Sequence, residues 1–307
     1  MQPFGFVTIS DHNYFPGVRA LINSIRRNAP APITVIDEGL RPEQLEWLRR
    51  NDVETRRVRR SIPVNDPRFG CCYALFDIDA APYERIVCID PDAIVLTDVR
   101  HLARTLDDKP IAVASGNSFR TLMQSDYRRK LHHAFPRNKW RFLFNHPRHL
   151  RHLLPSPFFA VSSGVMAVRR ELLPRIREAA LQYRPFFEAF RLPDQDLLSV
   201  CLATTGIAAE KLPFEMNAAF LHAPPEASGI NAHTRRKYEW VSRNVRFAFH
   251  DGHMELAIRG SRPRPIDVLH YAGVNKPWKP GARLRPGFRE LWMHYHDLDA
   301  PPLAATG

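Results

Sequence analysis

The sequence predicts an α/β domain with a largely parallel central sheet, and two observations carry that expectation. Short apolar runs alternate with amphipathic helical patterns through the N-terminal part of the chain, the order that builds parallel sheets from strand–helix–strand units. The strongest apolar run, ERIVCID, ends at Asp90 and is followed after a proline by a second carboxylate, Asp92. Ligands of such sheets bind beyond the carboxyl ends of the strands. With 307 residues, 44% apolar and 25% charged, the chain can bury a full core. No apolar run approaches the roughly 18 residues of a membrane span.

Taken in order, FGFVTI reads as the first strand. The opening MQPFGFVTIS lacks the basic start and long apolar middle of a signal peptide. PGVRALINSIRRN places Val18, Leu21, Ile22 and Ile25 on one helical face. PITVID is strand-like, and RPEQLEWLRRN begins a helix with Pro42 in its first turn. VETRRV is a weaker strand, ERIVCID the strong one, and IAVASG a further one.

Residues 120–155 then form a basic insertion, expected to be helical. Its first part, 120–152, carries five His and a single acid, Asp126. Two readings stand: an amphipathic surface docking on anionic lipid or substrate, or a solvated basic insertion. A nucleic-acid face lacks any recognisable module there.

Regular texture resumes at FFAVSSGVMAVRRELL, a strand and a helix. LPDQDLLSVCLATTG is a helix whose acidic start suits its dipole. LPFEMNAAF and the strand DVLHYAG follow, the latter within proline-rich basic text. FRELWMHYHDL places Phe288, Leu291, Trp292, Tyr295 and Leu298 on one stripe, the signature of a closing helix packed on the core. No linker divides the chain. It is read as one domain over 1–285, with a basic C-terminal extension that ends in a helix and flexible tail over 286–307.

Four cysteines, Cys71, Cys72, Cys88 and Cys201, show no CxxC spacing, and the adjacent pair suits neither a zinc site nor an ordinary disulfide. Free thiols in a reducing cytosol are the expectation. The 44 Lys and Arg outnumber 32 Asp and Glu, giving a net charge of +12. That predicts anionic partners, whether nucleic acid, acidic lipid or a phosphorylated substrate, without choosing among them.

Three constellations can carry chemistry. In DPD, two carboxylates share one turn; Mg²⁺ and Mn²⁺ prefer such oxygen ligands, although caps and solvated turns use the same pattern. A strand ending in DxD also resembles the nucleophile motif of haloacid-dehalogenase-type phosphatases. That likeness lacks a later GDxxxD cluster, and the strand comes late in the chain. In LHYAGVNKPW, His270 is a strand-end imidazole able to bind metal or to serve structurally. Gly273 allows close backbone approach, and Lys276 offers a charge to phosphate. In PDQDLLS, Asp194, Gln195 and Asp196 form either a capped helix start or a grip for sugar hydroxyls.

Read together, ERIVCIDPDAIVLTDV, SSGVMAVRREL, PDQDLLS, LPFEMNAAF and VLHYAGVNKPW stand in the order found in glycosyltransferase family 8. The chain resembles that family, which includes glycogenin and bacterial lipopolysaccharide galactosyl- and glucosyltransferases, over roughly residues 4–278. The DxD with its flanks and HxGxxKPW are its most specific parts. The resemblance implies the GT-A nucleotide-sugar-binding fold and a retaining, metal-dependent hexosyltransferase. The donor would be a UDP-sugar and the acceptor a saccharide or glycolipid, as in surface glycan or lipopolysaccharide biosynthesis. It implies Asp90, Asp92 and His270 as ligands of a divalent cation, Mn²⁺ in preference to Mg²⁺, with Gly273 and Lys276 on the phosphates. Asp11, Asn13 and Tyr14 of DHNY would hold uracil and ribose. Ser162 would lie at the donor sugar, Asp194 at a sugar hydroxyl and Gln195 near the anomeric carbon.

Two departures from the family stand out. Leu75 in YALF replaces the usual donor-contacting Lys or Arg, with Arg68 the nearest substitute, and Ser162 replaces the Asn of FNAGV. The implied localisation is cytoplasmic, with peripheral, salt-sensitive contact at the anionic inner face of a membrane. The alternative is a catalytically inactive, transferase-like basic protein that binds nucleic acid or anionic lipid.

Overall fold

A computed structural model describes residues 1–63, 70–115, 161–184, 193–227 and 232–298. The 120–155 insertion, Arg68 and the tail from 299 onward lie outside the described residues.

The first half of the chain is a run of strand–helix units. β1 (Gln2–Ser10), α1 (Phe15–Asn28), β2 (Ile33–Asp37), α2 (Pro42–Arg50) and β3 (Glu54–Arg57) lead to α3 (Gly70–Ala74), a 3₁₀ turn (Leu75–Ala80) and β4 (Tyr83–Ile89). There follow β5 (Ala93–Val95), α4 (His101–Thr105), β6 (Ile111–Ser115), β7 (Val161–Arg169), α5 (Leu173–Tyr183), α6 (Pro193–Thr205) and β8 (Ala209–Leu212). The chain continues through β9 (Ala218–Ala219), α7 (Ala232–Asn244), β10 (Val245–His250), β11 (His253–Ile258), β12 (Arg264–Pro265), β13 (Val268–His270) and α8 (Phe288–His296).

Seven strands form the main sheet, in the order β3-β2-β1-β4-β7-β6-β8. All pairings are parallel except those of β7, which runs antiparallel to both β4 and β6. The centre of β1, β2 and β4 is apolar on both faces because both faces are covered. From β1 the chain moves outward to β2 and β3, then returns to place β4 on the other side of β1. This reversal leaves a crevice at the neighbouring carboxyl ends of β1 and β4, the position where α/β sheets bind ligands. Asp11 follows β1 and Asp90 follows β4 at that edge.

α1 packs on the sheet through Val18, Leu21, Ile22 and Ile25, all fully buried. Burial of each such side chain contributes about 1.5–3 kcal/mol. Gly17 in its first turn is a contact, not a break: a Cβ there would stand 2.3 Å from the Pro91 carbonyl oxygen and 2.8 Å from the Trp278 ring. The missing side chain lets the DPD turn lie directly on α1.

Two smaller sheets complete the structure, β5-β13-β9 and the antiparallel β10-β11-β12. α8 closes the core over the former with Phe288, Leu291, Trp292 and Tyr295 buried. It is tied to α1 by Asn23, whose Nδ2 donates to the carbonyls of Tyr295 (2.8 Å) and Leu298 (2.9 Å). Among the described residues, no helix is long and apolar enough to cross a membrane.

Candidate active site

The site grows from the turn after β4. The Asp90 N–H donates to the Gly164 carbonyl (3.0 Å), which pins the turn to β7. The Ala93 N–H closes it on the Asp90 carbonyl (3.1 Å). β5 then runs antiparallel to β13, with Ala93 opposite His270. The Tyr271 N–H donates to the Asp92 carbonyl (2.9 Å), so the pairing delivers the imidazole to the aspartates. His270 Nε2 lies 3.1 Å from Asp92 Oδ1 and 3.5 Å from Asp90 Oδ2. Lys276 Nζ forms an ion pair with Asp92 Oδ2 and donates to the Tyr271 carbonyl (2.9 Å). The ammonium lies 5.3 Å from the centre of the Tyr14 ring.

Two like charges tolerate each other here because the Lys276 ammonium pairs with Asp92 and the His270 imidazole stands beside both carboxylates. Burial opposes the charge on Asp92, but Lys276 and His270 outweigh it and hold the carboxyl well below its ordinary range. Burial raises the Asp90 carboxyl, against the pull of His270, with Asp92 and Asp194 adding to the rise. Burial disfavours the His270 cation, yet Asp92 and Asp90 outweigh it and raise the imidazole. The pair is thus unequal: Asp92 is the fixed anion and Asp90 the weaker acid.

The donor set fits a divalent cation. One ligand atom each from Asp90, Asp92 and His270 lie within 4.8 Å of one another. Two carboxylate oxygens and one imidazole nitrogen suit Mn²⁺ or Mg²⁺. His270 Nδ1 is engaged elsewhere, 2.8 Å from Asn217 Oδ1, which leaves Nε2 on the carboxylate side. Asn217 was not nominated from the sequence. Its signal was a lone polar amide inside the apolar run FEMNAAF.

The other nominated residues are placed as follows. Asp11 closes the turn that leads into α1: its Oδ1 accepts from the N–H of Asn13 (2.9 Å) and Tyr14 (3.1 Å), and its Oδ2 from Asn13 Nδ2 (3.3 Å). Burial, then Asp92 and Asp90, raise the Tyr14 phenol. Gly273 adopts φ +98°, a left-handed conformation that favours glycine, with open space beside it. Asp194 is buried at the start of α6, and Ser163 Oγ donates to its Oδ2 (2.7 Å). Burial raises this carboxyl. Gln195 follows half-buried, its carbonyl accepting from Ser199 Oγ (2.7 Å). Ser162 Oγ accepts from Asn217 Nδ2 (3.1 Å).

Leu75 is 4% exposed and packs in the core. All four cysteines are free.

No protein-family model matches the sequence, and no curated protein aligns with it. Solved structures do match. LgtC, a galactosyltransferase in complex with donor and acceptor sugar analogues, is 14% identical, with 97% of each chain covered and a TM-score of 0.57. The fold is that of the GT-A glycosyltransferases. A variant of LgtC with an active-site glutamine replaced by glutamate superposes equally well, at 16% identity and a TM-score of 0.58. WbbM, a bifunctional glycosyltransferase, is 16% identical over 98% of this chain, with a TM-score of 0.57. The chain spans about half of WbbM's length, 50%. Mouse xyloside xylosyltransferase 1 is 15% identical over 88% of this chain and 98% of its own, with a TM-score of 0.52.

Proposed function

We propose that the chain is a retaining, metal-dependent glycosyltransferase of the family 8 type, which moves a hexose from a UDP-sugar to a saccharide or glycolipid acceptor. One observation carries the reading: on a glycosyltransferase fold, the pairing of β5 with β13 gathers Asp90, Asp92 and His270 into a divalent-cation donor set.

In this reading those three residues hold the cation, Mn²⁺ in preference to Mg²⁺. When bound, the cation supplies Lewis-acid stabilisation of the charge that builds on the diphosphate leaving group. Lys276 adds a point charge toward the same phosphate oxygens, and the backbone at Gly273 gives them close approach. Asp11, Asn13 and Tyr14 line the crevice at the end of β1 for the nucleoside. Ser163 donates to one oxygen of Asp194, and the remaining acceptor capacity of the carboxylate serves a sugar hydroxyl. Ser162 acts at the donor-sugar side.

Gln195 stands near the anomeric carbon, in keeping with the active-site glutamine named for LgtC. An amide is a poor nucleophile, so the acceptor hydroxyl attacks on the face the diphosphate leaves. The acceptor O–C1 bond forms, the C1–O(phosphate) bond breaks, and the hydroxyl proton passes to the departing phosphate oxygen. The basic surface serves to meet a phosphorylated or lipid-linked acceptor at an anionic membrane, peripherally and in a salt-sensitive way.

The test is release of UDP from UDP-galactose and UDP-glucose with Mn²⁺, in the wild type and in His270→Ala. Release that stops with EDTA and in the variant supports the reading. No release from any UDP-hexose, or release indifferent to EDTA, would end it. Salt-dependent nucleic-acid binding without metal would favour the inactive alternative.

A further inference from the structure

Asn217 holds no part in the chemistry above, yet it is 1% exposed and both ends of its amide lead into the site. Its Oδ1 meets His270 Nδ1 at 2.8 Å, and its Nδ2 meets Ser162 Oγ at 3.1 Å. The two ends differ chemically, because a carbonyl oxygen only accepts and an amide nitrogen only donates. With Oδ1 toward the ring, the proton must reside on Nδ1. In that orientation Ser162 Oγ accepts from the Asn217 amide and from the Gly164 N–H (3.4 Å), one on each lone pair. Gly164 closes the other side of the ring. A Cβ there would stand 2.6 Å from His270 Nδ1 and 2.9 Å from Asn217 Oδ1.

We infer that Asn217, backed by Ser162, is the positioning residue of the metal site: it keeps the His270 proton on Nδ1 and turns the Nε2 lone pair toward Asp90 and Asp92. This rests on the reading of those residues as a cation site. Of the two serines that begin SSGVM, the first thereby serves the metal through Asn217, while the second serves Asp194. Partners of this kind fix the ring and its tautomer, and their loss typically costs about 10–100-fold in metal affinity.

The test is calorimetric titration of Mn²⁺ alone into the wild type, Asn217→Ala, Asn217→Asp and Gly164→Ala. It is paired with ¹H–¹⁵N spectra of the His270 ring in the Mg²⁺-loaded wild type. Asn217→Ala should bind Mn²⁺ about 10–100-fold more weakly. Asn217→Asp, which keeps an acceptor oxygen on Nδ1, should recover most of that loss. Gly164→Ala should weaken binding by displacing the ring. The spectrum should show a protonated Nδ1 and a bare Nε2.

Wild-type affinity in Asn217→Ala, no recovery in Asn217→Asp, or a bare Nδ1 would each overturn the inference while leaving the metal site intact. A wild type that binds no Mn²⁺ would overturn the site and the inference together. If Asn217→Ala does not fold, Asn217→Asp and the wild-type spectrum still decide.

Discussion

The four-stranded unit β3-β2-β1-β4 and the small sheet β5-β13-β9 meet at the same two aspartates, yet they are built in opposite ways. In the first, β1, β2 and β3 lie side by side in sequence order, β4 returns to the free edge of β1, and β1, β2, β4 and the helices between them are specified by their own apolar patterns. In the second, three strands of two or three residues are brought together from distant parts of the chain, and Lys276 reaches Asp92 across 184 positions. The first unit places the carboxylates at a sheet edge. The second brings the imidazole, and the segment after it the lysine, that make a pair of carboxylates tolerable there. Local pattern therefore proposes the site, and long-range pairing completes it.

The sharpest way to break this comparison is at Asp92. Asp92→Ala leaves Lys276 buried without its anion, and breaking a buried pair costs about 3–5 kcal/mol. Urea denaturation in EDTA should show that loss. Asp90→Ala, at a side chain still 33% exposed and without the lysine contact, should destabilise much less. Equal losses in the two variants would mean that Lys276 does not distinguish the carboxylates.

Gly17→Ala tests how the two regions are joined, since its Cβ would meet the Pro91 carbonyl and Trp278 together. Overpacking of this kind costs about 1–3 kcal/mol. The denaturation midpoint should fall, and it should fall further with a larger side chain. An unchanged midpoint would show that the DPD turn does not depend on α1.

His222 probes the pH response of the small-sheet side. The ring is fully buried against Tyr271 (5.2 Å) and Tyr238 (6.4 Å), and neither nitrogen has a hydrogen-bond partner among the described residues. Burial, then Lys276 and His270, push its pKa down to about 3. The folded protein thus holds this histidine neutral while the unfolded chain takes up a proton near pH 6.5. The stability it contributes is present above about pH 6.5 and is lost as pH falls toward about 3. His222→Phe should flatten that acid limb without lowering stability at pH 7.5, as followed by denaturation across pH. An unchanged acid limb would remove His222 from the account.

The smallest effect belongs to the surface of the first region. Glu46 bonds Arg49 and Arg50 in full view of solvent. Glu46→Gln should leave the denaturation midpoint where it is, because exposed pairs contribute little.

Much of the first region was legible because periodicity is local. β1, β2 and β4 are continuous apolar runs, and α1 and α8 carry apolar stripes that the structure buries. β13 was visible as a strand, and His270 was singled out with it. β5 was not, because Ala93–Val95 is too short to show a period, and its pairing with β13 cannot be seen along the chain. β8, β9, β10, β11, β12 and α7 were missed: β9 and β12 are too short to show a period, whereas the hairpin β10–β11 was readable in the alternation of VRFAFH and the Asp251–Gly252 turn and was passed over.

Lys276 was expected on phosphate, and its contact with Asp92 depends on folding that no motif displays. The same holds for Asp79, which is buried between Arg59 and Arg177. Asn217 was quoted within a motif but given no role, since a hydrogen bond to a histidine ring leaves no spacing signal.

The most direct test of the central claim, that two remote segments form one metal and nucleotide site, is calorimetric titration of UDP with Mn²⁺, with Mg²⁺ and with EDTA. It is made on the wild type and on His270→Ala. The account predicts binding that requires the cation and disappears in the variant. Binding of equal strength in EDTA, or in His270→Ala, would contradict it.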